Sequence, residues 1–317
     1  VTPKKIIIDT DPGIDDAMAI LFALASPELD VVGLTSIFGN VYTAQATDNA
    51  LRLLEFGGRP DIPVAHGAEL PLFGDLDGVA HFVHGANGLG DIPHAPPRGK
   101  PDSRNAAQFI VDSVMAHPGE ITLVPVGPLT NIALALAIEP RIVDNVAEVV
   151  IMGGAATVSG NVNPAAEANM YSDPHAADRV FSARWPMLTM VGLDVTEQVI
   201  MDEEYFQSLR PSRTGAYIEE ISRFYLDFYA RANGLRMCHT HDPSAIAYVI
   251  DPTLFRARVG PMRVIPDGLA RGQTLWDRRQ HWWGPHAWTN RPAVSVCVEV
   301  DADRLLNLYK QRILEAN

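Results

Sequence analysis

Residues 6–16 read Ile6-Ile7-Ile8-Asp9-Thr10-Asp11-Pro12-Gly13-Ile14-Asp15-Asp16, and the fold follows from how this stretch changes character. Three consecutive β-branched residues predict a fully buried strand, and Pro12-Gly13 ends it in a turn. Residues 17–24 then have the composition and length of a buried helix. Asp9, Asp11, Asp15 and Asp16 therefore crowd the carboxyl end of a strand and the first turn of a helix. In open α/β sheets that edge is where ligands bind.

The same alternation runs outward from this unit. Strands are expected at 30–38, 121–126, 146–152 and 187–191 and helices at 42–56 and 129–137, with a short apolar run at 62–65. Helices at 214–232 and 243–250 follow, then short strands at 257–265, 269–276 and 293–300. A last helix spans 304–314 with Asp301 as its N-cap. Repeated βαβ units imply a single domain over 1–317, a doubly wound α/β fold. Its mostly parallel central sheet is flanked by helices and carries a C-terminal antiparallel extension. The segment 67–101, rich in Gly, Pro and His, reads as a long functional or disordered loop.

Composition limits the partners. The chain has 317 residues, 47% of them hydrophobic, and a formal charge of −13. That charge argues against nucleic acid or an anionic membrane, and no apolar run reaches transmembrane length. The first strand begins within a few residues, which reads as leaving no room for a signal peptide. Cys238 and Cys297 form no disulfide framework and no zinc set; they read as buried thiols, with the cytoplasm as the expected location.

Four neighbouring acids demand a reason. Asp15 and Asp16 suit a helix N-terminus and Asp11 suits a turn, which accounts for two or three of the four. Without a cation, carboxylates this close raise one another's pKa, whereas a hard divalent ion bound by oxygen ligands removes the conflict. Further along, Gly39-Asn40 closes the second strand, an ordinary turn pair. Val126-Gly127-Pro128 closes a later one and offers a carbonyl just before a helix. The loop 160–169 holds Asn161, Asn163, Glu167 and Asn169 without Lys or Arg, a donor and acceptor set suited to a polyhydroxylated ligand or to plain solvent. His241-Asp242-Pro243 reads as a helix start, Asp as N-cap and Pro at the first position, beside an imidazole able to trade protons.

Together these motifs resemble the nucleoside hydrolases, calcium-dependent N-ribohydrolases, across essentially the whole chain. The resemblance is dense from Asp9 to Asp242 and thin after Ile250. It implies Ca²⁺ held by Asp11, Asp16, the Val126 carbonyl and Asp242. Asp15 and Asn40 then hold the ribose 2′-hydroxyl, Asp242 and Asn169 the 3′-hydroxyl, and Asn161 and Glu167 the 5′-hydroxyl. It places His241 near the departing base as candidate acid and His84 as a base contact. On the chemistry, Asp11 is the candidate general base for a calcium-held water, and Asp9 orients the cluster. The resemblance also implies a homo-oligomer, dimer or tetramer.

Base preference stays open between purine, pyrimidine and both, leaning to a nonspecific or pyrimidine-tolerant enzyme. The loop 73–94 and helix 214–235 should set it. There Phe224, Tyr225, Phe228 and Tyr229 serve as core or as a base platform, and Arg231 and Arg236 contact the base or cap a helix end. His81 and His239 read equally well as bystanders. Trp276, Trp282, Trp283 and Trp288 have no derivable role. Two other readings compete. Asp9-Thr10-Asp11 also suits a haloacid-dehalogenase-like phosphatase, which lacks a well-placed Lys in Lys100 or Lys310. A calcium-dependent nucleoside- or sugar-binding protein needs the same ligands without turnover.

Overall fold

The computed structural model describes residues 2–279 and 284–316, so Trp282 and Trp283 lie outside the described residues. Eleven strands are present among these: β1 Lys4–Thr10, β2 Leu29–Ser36, β3 Val64–Ala65, β4 Ile121–Pro125, β5 Glu148–Met152, β6 Leu188–Val191, β7 Ile200–Asp202, β8 Met237–His239, β9 Phe255–Val264, β10 Thr274–Trp276 and β11 Ala293–Val300. Nine form one sheet in the order β10-β9-β11-β6-β5-β4-β1-β2-β3. From β3 to β11 every pairing is parallel; β9 and β10 add the antiparallel extension. β7 and β8 pair separately.

The triple isoleucine divides between two cores because successive strand side chains point to opposite faces. Ile6 and Ile8 join the apolar cluster under helices Ile14–Leu24, Arg213–Asn233 and Asp242–Ile250. Ile7 joins the cluster under Ala106–Ala116, Thr130–Ile138 and Pro174–Ser182. All three are buried, each worth about 1.5–3 kcal/mol. β1 therefore lies between two layers of helices. Chain order reverses beside it, with β2 on one flank and β4 on the other. That reversal opens a crevice at the carboxyl ends of the strands.

Most expected elements stand within one to three residues of their place, and the differences are instructive. The stretch 269–276 is a strand only at Thr274–Trp276, since a 3-10 turn occupies Gly268–Ala270. Helices Ala106–Ala116, capped by Asn105 accepting from the Gln108 N–H, and Pro174–Ser182, capped by Asp173 accepting from the Ala176 N–H, are among the elements with no counterpart in the sequence expectations. Asp242 is the first residue of its helix instead of the N-cap, which is His241. Its carboxylate is thereby free to join the acidic cluster. Asp301 does cap the last helix, Ala302–Glu315.

The long loop is fastened by side chains. Asn131 accepts from the Ala68 N–H at 2.9 Å, Asp173 from Leu72 at 2.7 Å and Glu55 from Arg98 and Gly99. Inside it a short helix, His81–His84, reaches the turn after β1. Among the described residues no helix is long and apolar enough to cross a membrane. Cys238 and Cys297 are buried free thiols.

Candidate active site

The acids meet at the carboxyl edge of β1. Asp16 is the most fully satisfied. It accepts from Thr10 Oγ1 (2.5 Å), the Asp11 N–H (3.2 Å), the Gly13 N–H (2.9 Å) and Asn40 Nδ2 (2.9 Å). Its contact with the Gly13 N–H is half of a capping box, so the ordinary role of an acid at a helix start is real for this residue. That role does not extend to its neighbours. Asp11 Oδ2 accepts from the Asn40 N–H at 2.6 Å, whereas Asp11 Oδ1 is buried without a partner. Asp15 Oδ2 accepts from the Tyr225 hydroxyl at 3.3 Å, and Asp15 Oδ1 is likewise buried and unpartnered.

Asp15, Asp16 and Asp242 each bring a carboxylate oxygen within 4.8 Å of the others. Asp11 stands beside this trio and acts on it electrostatically. Burial is the main cause that drives every one of these carboxyls upward: Asp15 to about 6, Asp11 and Asp242 well above the usual range, and Asp16 in the same direction. Their mutual repulsion adds to it for Asp11, Asp16 and Asp242. Asp9 rises to about 7 through burial, moderated by Thr35 Oγ1 (2.6 Å) and Asn131 Nδ2 (2.7 Å). A buried acidic cluster with orphaned oxygens is a site built for a cation. All donors on offer are oxygens, which suits a hard divalent ion.

The cradle admits no spare atoms. A Cβ on Gly127 would fall 2.6 Å from Asp11 Oδ1, and one on Gly13 would fall 2.7 Å from His84 Nδ1. The Val126 carbonyl is at the edge, accepting from Asn169 Nδ2 at 2.8 Å. Asn169 also donates to the Met152 carbonyl at 3.3 Å, so its amide bridges the ends of β4 and β5. Glu167 is buried with its carboxylate committed to the backbone N–H groups of Gly154, Asn169 and Met170. Asn161 is exposed and accepts from the Ala168 N–H at 3.0 Å. Asn163 holds the loop's own turn.

The opposite wall is aromatic. His84 is buried, its Nδ1 accepting from the Ile14 N–H at 3.2 Å and lying 3.8 Å from Asp15 Oδ1. Burial lowers it to about 4, and lowers His241 to about 3 with help from His239 and His84. Tyr225 packs on His84 with ring centroids 5.3 Å apart, and the Tyr229 hydroxyl is 3.4 Å from His241 Nε2. The i, i+4 spacing of these tyrosines is the signal the sequence carries, and their hydroxyl contacts arise only from the tertiary packing. Phe82 and Phe228 contact each other at 5.9 Å, Phe82 being largely exposed. Arg236 pairs with Glu203 and Asp227 on the surface, which removes it from the base contacts. Arg231 is exposed. His81 lies against Tyr42, and His239 Nδ1 meets the Glu197 carbonyl.

Trp276 and Trp288 lie away from the acids, lining a separate cleft of about 730 Å³ with Arg278 and Arg279. The Trp288 indole donates to the Leu275 carbonyl on β10. Lys100 is exposed in the long loop, which leaves the phosphatase reading without its lysine.

Comparison with known proteins points the same way. A family profile described as inosine-uridine preferring nucleoside hydrolase matches residues 6–307. The chain is 46% identical to the probable uridine nucleosidase 2 of Arabidopsis thaliana, covering 99% of this chain and 98% of that one. It is 40% identical to the inosine-uridine preferring nucleoside hydrolase of Leishmania major, over 94% of each. A solved plant nucleoside hydrolase superposes with a TM-score of 0.96 at 45% identity, covering 98% of this chain and 99% of that one.

Proposed function

This chain belongs to the inosine-uridine preferring nucleoside hydrolase family, and we propose that Asp11 is its general base, His241 its leaving-group acid and calcium its metal. The reaction is hydrolysis of the N-glycosidic bond of ribonucleosides, giving ribose and free base. The observation that carries the residue assignment is the pair of buried, unpartnered oxygens, Asp11 Oδ1 and Asp15 Oδ1.

Asp11, Asp16, Asp242 and the Val126 carbonyl would hold the cation, with Asp15 close enough to join them. A divalent ion held there would supply a water of lowered pKa as the nucleophile. Asp11 has one oxygen tethered by the Asn40 N–H, which leaves Oδ1 to take the water's proton. Asp15 and Asn40 grip the ribose 2′-hydroxyl, Asp242 and Asn169 the 3′-hydroxyl, and Asn161 and Glu167 the 5′-hydroxyl. As the C1′–N bond breaks its electron pair leaves with the base, and His241 assists by donating a hydrogen bond from its neutral ring to the base nitrogen. Positive charge grows on the ribosyl ring in the field of the carboxylates, an interaction stronger in the transition state than in the ground state. His84 and Tyr225 contact the base.

Uridine belongs among the substrates, as the names of the plant relatives suggest. Buried thiols suit the cytoplasm, and the exposed Leu70, Leu72 and Phe73 suit self-association into a homodimer or tetramer. The test is ribose release from uridine, cytidine, inosine, adenosine and guanosine in phosphate-free buffer, with calcium and after its removal. Calcium-dependent ribose from uridine is expected. A folded, calcium-loaded protein inert on all five would overturn the reading.

A further inference from the structure

His241 Nδ1 lies 2.9 Å from Thr196 Oγ1. Thr196 is fully buried and ends the short helix Leu193–Thr196 that follows β6. A helical threonine ordinarily turns its hydroxyl to a carbonyl one turn back. This one reaches a ring 45 residues away in the chain. The residues after it continue the contact: the Glu197 carbonyl meets His239 Nδ1 at 3.0 Å, the Val199 carbonyl accepts from the Thr240 N–H at 2.9 Å, and Ile200 pairs with His239 across β7 and β8. The stretch 196–200 is thus a shelf along which 239–241 is laid, and Thr196 is its side-chain contact with the imidazole. On the far side of that ring, Nε2 faces the Tyr229 hydroxyl.

We propose that Thr196 is a positioning residue for departure of the base, its hydroxyl donating to His241 Nδ1 so that the neutral ring carries its proton on Nε2, the nitrogen presented to the base. The inference rests on the reading of His241 as the group that assists the leaving base. In the step it serves, Nε2–H donates a hydrogen bond to the base nitrogen while the C1′–N electron pair departs with the base. Water adds its hydroxyl to C1′ and its other proton passes to Asp11. The Thr196 hydroxyl stays on Nδ1 throughout. Afterwards Asp11 returns its proton to solvent and the base takes one up, so the net change is one water divided between ribose and base. Removing the hydroxyl frees the ring to rotate and misdirects Nε2 without touching the cation site.

The experiment compares T196V, T196A and T196S with the wild type on uridine, inosine and 4-nitrophenyl β-D-ribofuranoside, whose phenolate leaves without protonation. T196V and T196A should lose about 10- to 100-fold in kcat on the nucleosides, part of the contribution general acids make, with KM little changed. Both should keep the wild-type rate on the nitrophenyl riboside, and T196S should restore nucleoside turnover. Equal losses on both substrate classes, or none on nucleosides, would overturn the role of Thr196 alone. Wild-type enzyme that splits the nitrophenyl riboside and no nucleoside would overturn the reading of His241, and this inference with it.

Discussion

The stability gained from calcium should grow as pH rises from 4 to 7. Burial pushes the Asp15 carboxyl from 3.8 to about 6. Below pH ~4 the group is neutral in the folded and the unfolded chain. Between these values the unfolded chain ionises first, which favours unfolding. Above 6 both forms are charged and the loss is complete. A displacement of about two pH units corresponds to about 3 kcal/mol at 1.36 kcal/mol per unit. Unfolding entropy of about 2.1 cal/mol/K per residue amounts to roughly 0.7 kcal/mol/K for this chain. Asp15 alone should therefore lower the Tm of the ion-free protein by about 4–5 °C across the window.

Asp11, Asp16 and Asp242 are displaced the same way, so the full effect is larger. Asp9, raised to about 7, loses stability over an overlapping range but is no ligand of the proposed ion. Its contribution cancels in the difference between samples with and without calcium. The assay is scanning calorimetry of stripped, dialysed protein from pH 4.0 to 7.5, with and without millimolar calcium chloride. A gap in Tm that widens with pH is expected. A gap that is absent at pH 7, or that narrows on the way there, would refute the argument that these carboxylates are held charged by a cation.

Asp11→Asn should lower kcat for uridine by about 10²–10⁴-fold, the range for a lost general base, while equilibrium dialysis finds nucleoside affinity within a few-fold of wild type. Comparable losses in both would return Asp11 to a binding role. Gly127→Ala places a Cβ 2.6 Å from Asp11 Oδ1, so ribose release and the calcium-dependent rise in Tm should both fall in a protein with an unchanged circular dichroism spectrum. Asn131→Ala removes donations to Asp9 and the Ser36 carbonyl and acceptance from Ala68. Urea denaturation should find it about 2–4 kcal/mol less stable, given stranded partners at 1–3 kcal/mol each; a loss under about 0.5 kcal/mol would show those partners reaching water instead.

What the sequence disclosed was whatever local chemistry controls. Ile6 to Asp16 announced a strand, a turn and a helix, and with them the place of the acids. Asp301 caps the last helix as a carboxylate should. Asp242 starts its helix one residue inside the cap and its carboxylate stands with Asp15 and Asp16, a grouping that no local pattern expresses. Asn169 and Glu167 were legible as polar loop residues, but their commitment to the Val126 carbonyl and to three backbone N–H groups depends on how β4 and β5 lie together. Thr196, 45 residues from its partner in an apolar stretch, carried no signal at all.

Burial is what makes the carboxylate cluster costly, and it is also what gives the cluster its effect on a ribosyl cation. A unit charge about 5 Å from a carboxylate gains roughly 3 kcal/mol at an effective dielectric of 20, and under about 1 kcal/mol in water. Such a field is useful only if the carboxylates cannot turn to follow the charge, since reorganisation would consume the gain. Here the neighbours forbid turning: Thr10, Gly13 and Asn40 fix Asp16, Thr35 and Asn131 fix Asp9, and Tyr225 steadies Asp15. These groups belong to β1, β2, the turns that follow those strands and helices Thr130–Ile138 and Arg213–Asn233, so both helical layers of the fold hold the charges in place. The reason for mounting the site on a doubly buried strand edge, and not on a mobile loop, is that immobility.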